Sequence, residues 1–66
     1  MRVVANGDGV ELPDGATLTD LLDAVGLGAK WVVAEVNGAA VNRSDMATVR
    51  LSEGDRVELV RAVAGG

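Results

Sequence analysis

Apolar positions along the chain follow two different periods. Met1 to Ala5 and Val10-Glu11-Leu12 alternate with a period of two, which puts Val3, Ala5, Val10 and Leu12 on one face and Arg2, Val4 and Glu11 on the other. The cluster Asn6 to Gly9 between them predicts a hairpin turn. Pro13-Asp14-Gly15 ends the second strand, because Pro fixes φ and Gly permits a positive φ. From Thr17 to Gly26 the period becomes helical: Leu18, Leu21, Leu22 and Val25 fall at i, i+3, i+4 and i+7, on one stripe. Thr17 or Thr19 can cap this helix, Asp20 lies near the positive end of its dipole, and Gly26 suits the left-handed position that stops it. So short a helix is marginal alone, so its leucine stripe must dock on a sheet.

Leu27 to Trp31 reads as a loop and Val32 to Val36 as a strand, with Asn37-Gly38 turning it into Ala39-Ala40-Val41. Asn42 to Thr48 is irregular, with room for one helical turn at Ser44-Asp45. Val49-Arg50-Leu51 reads as a short strand, Ser52 to Asp55 as a turn, and Val57 to Val60 as the last strand, Val57 and Leu59 facing inward. Hairpin, helix, hairpin and final strand predict an α+β fold: a mixed sheet of four to five strands with one main helix on one face. This is the β-grasp arrangement, in which the last strand lies parallel to the first and the C-terminus leaves from the sheet edge. The expected domain is residues 1–61, followed by a flexible tail, 62–66.

Composition narrows the chemistry. At 66 residues, the chain can form one small domain that hides only about 60% of the surface its unfolded form exposes, too little for an enclosed catalytic cleft. It has no Cys and no His, so it lacks a thiolate nucleophile, a side chain that ordinarily titrates near neutrality, and the usual zinc or iron ligands. Without disulfides a small domain must rest on its apolar core, and 48% apolar residues suffice for one. Ten acidic against six scattered basic residues, a net charge of -4, argue against a phosphate-binding footprint and for a protein partner. No apolar segment has signal-peptide or membrane-spanning character, and the chain reads as complete and cytoplasmic.

Candidate catalytic groups in the body of the domain are weak. Asp20 with Asp23, and Glu53 with Asp55, read as solvated charges on a helix and a turn. Ser44 and Ser52 have no His to activate them. The glycines of Asn6-Gly7-Asp8-Gly9 lead into a strand, where a phosphate loop would open a helix.

The tail Arg61-Ala62-Val63-Ala64-Gly65-Gly66 remains. It reads either as a frayed end of small residues or as a thread. Gly65 and Gly66 lack a β-carbon, so an extended tail can enter a narrow channel and present an unhindered carboxylate. Five residues from Ala62 reach at most about 17 Å, enough to enter a partner's active site while the body docks outside. A carboxylate ionised at neutral pH is a poor electrophile and must be activated, for instance as an acyl adenylate formed on ATP in a partner.

Asn6-Gly7, Leu12-Pro13-Asp14-Gly15-Ala16-Thr17-Leu18, Leu21-Leu22, Val36-Asn37-Gly38, Val41, Leu51, Glu53-Gly54-Asp55-Arg56-Val57-Glu58-Leu59-Val60 and Ala62-Val63-Ala64-Gly65-Gly66 together resemble the ThiS family of sulfur carriers of thiamin biosynthesis, over the whole chain. The chain departs from that pattern at Asn42, where Pro is frequent, and at Met46, where an aromatic is frequent. The resemblance implies a ubiquitin-like β-grasp fold and a carrier that is not itself an enzyme. It implies that the Gly66 carboxylate is adenylated by a ThiF-type enzyme using ATP and magnesium, neither bound by this chain. It further implies conversion to a thiocarboxylate with sulfur from a cysteine desulfurase, and delivery to thiazole synthase, ThiG.

Val4, Val33 and Val60, placed by alternation on the sheet face away from the helix, form the candidate docking surface. Three other functions are compatible with the same tail: the small subunit of molybdopterin synthase, a ubiquitin-like protein modifier, and an interaction module with an inert tail. The short length and the Ala-Val-Ala-Gly-Gly ending favour the thiamin carrier.

Overall fold

The computed structural model describes residues 1–28 and 32–61. A five-stranded mixed sheet carries one α-helix. In chain order the strands are β1 (Arg2–Ala5), β2 (Asp8–Glu11), β3 (Val32–Val36), β4 (Ala39–Val41) and β5 (Arg56–Arg61), with α1 (Leu18–Ala24) between β2 and β3 and a 3-10 turn at Arg43–Asp45. Across the sheet the order is β2-β1-β5-β3-β4. β5 runs parallel to β1 and antiparallel to β3. It is therefore the central strand, and the expectation that the chain leaves from the sheet edge is corrected: β5 ends at Arg61, opposite Val32, in the middle of the sheet.

Both hairpins are two-residue turns. Asn6 and Gly7, at φ 50° and 86°, and Asn37 and Gly38, at 51° and 85°, all lie in the left-handed region required by the turn that matches strand twist. The first turn is thus shorter than Asn6 to Gly9, and Asp8 and Gly9 belong to β2, paired with Ala5 and Val4.

The helix is held at both ends by sequence-local devices. Thr17 Oγ1 accepts from the Asp20 amide while an Asp20 carboxylate oxygen accepts from the Thr17 amide, a reciprocal capping box. At the other end the Gly26 amide donates to Asp23 O and the Leu27 amide to Leu22 O, with Gly26 at φ 77°, a Schellman stop. Val25 is the capping residue there and is 38% exposed, so the leucine stripe ends at Leu22 and does not include it.

Val49-Arg50-Leu51 is not a strand. Arg50 makes only an isolated bridge with Thr17. The segment instead covers the helix N-terminus: the Leu18 amide donates to Val49 O at 2.9 Å, and the Thr19 amide to Met46 O at 3.2 Å. Groups that a helix end leaves unpaired are thereby satisfied.

Leu18, Leu21 and Leu22 of α1 pack on Val3, Ala5, Val32, Ala34, Val57 and Leu59 of the sheet, with Leu12, Ala16, Met46 and Leu51 closing the same core. Val10 is half-buried against it. Burial of each large apolar side chain contributes about 1.5–3 kcal/mol, which a domain this size needs. Met46, in the segment read as irregular, is only 2% exposed.

Candidate functional site

The site is built around β5, because this strand feeds residues 62–66. Gly66, Gly65, Ala64, Val63 and Ala62 themselves lie outside the described residues.

Two asparagines fasten β5 from opposite sides. β1 turns away after Ala5, yet the Asn6 side chain continues its ladder: Nδ2 donates to Leu59 O at 3.0 Å and Oδ1 accepts from the Leu59 amide at 2.8 Å. On the β3 side, Asn37 Oδ1 accepts from the Arg56 amide at 2.9 Å, and the Asn37 amide donates to Arg56 O at 2.7 Å. Asn37 Nδ2 also donates to Asp55 Oδ1. Each Asn-Gly pair so serves twice, its backbone making the hairpin and its side chain holding the strand that leads to the tail. Asn6→Ala is expected to cost about 1–3 kcal/mol, since Leu59 loses two partners and alanine disfavours a left-handed φ. Urea unfolding measures the cost, with Asn6→Gly as the control that keeps the turn. Amide exchange at Leu59 should quicken in both variants, and unchanged exchange would count against the clamp.

Three of the four carboxylates read as solvated charge bond the backbone instead, while Asp23 is exposed as expected. Asp20 belongs to the capping box, Asp55 Oδ2 accepts from the Ser52 amide at 2.7 Å, and Glu53 Oε1 accepts from the Arg2 amide at 2.9 Å. Among the described residues, no three acidic side chains converge as a metal site.

The outer face of the sheet carries Val33 and Val60, 55% and 62% exposed and directly opposite each other on β3 and β5. Val4 does not join them. It is half-buried on β1 and in register with Arg56, four positions before Val60 along β5, so the three valines are an exposed pair and a separate residue.

The whole arrangement has known counterparts. The model of the ThiS family matches residues 2–66. The chain belongs to this family, the sulfur carriers of thiamin biosynthesis, and its β-grasp sheet is the family's ubiquitin-like fold. The crystal structure of a ThiS thiamine biosynthesis protein from Geobacter metallireducens superposes with a TM-score of 0.82 at 28% identity, over 100% of both chains. A solution structure of a thiamine biosynthesis protein from the same organism gives 0.79 at 29% identity, covering 100% of this chain and 88% of that one. A thiazole synthase from Paramagnetospirillum magneticum is 32% identical over 66 residues. This ThiS-family chain spans about a fifth of that relative's length, 20%.

Proposed function

We propose that this ThiS-family chain carries sulfur as a thiocarboxylate on Gly66. The observation that carries the reading is the family match, which runs through the closing Gly65-Gly66. The Gly66 carboxylate attacks the α-phosphate of ATP in a ThiF-type adenylyltransferase that supplies the magnesium site, and pyrophosphate leaves. A persulfide charged by a cysteine desulfurase then attacks the acyl carbon and displaces AMP, and a partner thiol attacks the resulting acyl disulfide at its distal sulfur, forming a disulfide and releasing the thiocarboxylate. The product delivers its sulfur for thiazole formation, and the chain is a cosubstrate of these cytoplasmic reactions, with no catalytic step of its own.

Thiazole synthase, ThiG, is the recipient. In the Paramagnetospirillum relative a segment similar to this chain occupies about a fifth of a protein named thiazole synthase, which supports carrier and synthase working side by side. The tail 62–66 threads into each partner in turn. The body docks through Val33 and Val60, an apolar pair exposed at the end of the strand that feeds the tail.

Chain-dependent exchange of labelled pyrophosphate into ATP by the adenylyltransferase tests the activation step. Exchange that needs the chain is expected; a competent enzyme giving none overturns the reading. Val60→Asp is expected to weaken binding to the adenylyltransferase at least tenfold, a charge being placed in an apolar contact, and to leave the fold intact because the side chain faces solvent. Titration calorimetry and circular dichroism measure the two effects.

A further inference from the structure

Next to the Val33–Val60 pair, the β3–β5 register sets Glu35 directly opposite Glu58. Both are exposed, and both point to the outer face, as alternation with the buried Ala34, Val57 and Leu59 requires. Side chains opposite each other in an antiparallel pair stand about 5 Å apart at their β-carbons, where like charges repel. Among the described residues the side-chain ion pair lies elsewhere, at Arg2 and Glu11, and neither Glu35 nor Glu58 has a cationic partner. The outer face at the tail end of β5 therefore combines a solvent-facing apolar pair with two facing carboxylates, on a chain of net charge -4; the exposed Arg56, two positions before Glu58 on the same face, makes no ion pair with either among the described residues.

We propose that this face docks on a protein surface that presents an arginine beside an apolar patch, the guanidinium lying between Glu35 and Glu58 while the patch covers Val33 and Val60. A planar guanidinium can serve two carboxylates at once, and it removes their mutual repulsion as it binds. The position also sets a distance. Gly66 lies eight residues beyond Glu58, so the Glu58 backbone must dock within about 29 Å of the site where the tail carboxylate reacts. The inference rests on the carrier reading, because the partner is the adenylyltransferase that activates the tail.

Stability and docking should respond in opposite directions, which separates this role from a structural one. Glu58→Lys gives Glu35 an opposite charge across the pair, so the variant should unfold at higher urea concentration than the parent. The same change should weaken binding to the adenylyltransferase about tenfold. Glu35→Gln should weaken it about threefold, and both losses should shrink as ionic strength rises. Calorimetric titration of parent and variants into the adenylyltransferase at low and high salt, beside urea unfolding of each, makes the measurement. If the parent binds and is adenylated while both variants bind equally well at low salt, the docking inference fails and the carrier reading stands. If Glu58→Lys binds more tightly, the inference likewise fails. If the parent neither binds nor is adenylated by a competent enzyme, both fail together.

Discussion

Leu22→Ala is expected to leave much of the population unfolded at 37 °C. The side chain is 1% exposed, between the leucines of α1 and the inner face of the sheet. Truncating a buried leucine costs about 2–5 kcal/mol, from lost burial and from the cavity that remains. A domain of this size has about 3–10 kcal/mol in total. It also has no disulfide to limit the unfolded chain. The urea midpoint should fall steeply, and sulfur carrying should fall with the folded fraction. A loss below about 1 kcal/mol would mean that the helix packs less closely than the structure has it.

Removal of Gly66 should do the reverse. The sheet, the helix and the core described above are formed by residues 1–61, so the shortened chain is expected to unfold at the same urea concentration as its parent. Its activation should collapse, because the new carboxylate stops one residue, about 3.3 Å, short of the reacting phosphate. Displacement by about 1 Å can already cost a hundredfold in rate, so a loss beyond a hundredfold is expected in pyrophosphate exchange. Near-normal exchange by the shortened chain would show that the tail is not read at its last residue.

Features set by neighbouring residues were legible in the sequence, and features set by distant pairing were not. Asn6-Gly7 and Asn37-Gly38 announce their turns because few other dipeptides accept two positive φ angles in succession. Thr17 with Asp20, and Gly26 beyond the leucines, mark a helix to within a residue or two. The central place of β5 has no such mark, since nothing local to Arg56–Arg61 states that strands from both ends of the chain will flank it. Alternation alone places Val4 with Val33 and Val60 for the same reason: it gives the face of a side chain, and only the β1–β5 register gives its row. The core position of Met46 is not legible because the segment around it has no period, although its carbonyl serves the helix end and its side chain the core. The second use of Asn6 was hidden as well, its partner Leu59 lying 53 residues away.

The candidate site divides along the same line. The closing glycines are visible in the sequence and lie within the family match, whereas the Val33–Val60 and Glu35–Glu58 pairs exist only once β3 and β5 are aligned.

Intact-mass measurement of the chain after incubation with ATP, magnesium, a ThiF-type adenylyltransferase and a sulfur donor tests the central claim most directly. A gain equal to the replacement of one oxygen by one sulfur is expected, placed on Gly66 by fragmentation. An unchanged mass with an enzyme competent on another carrier, or sulfur found anywhere other than Gly66, would contradict it.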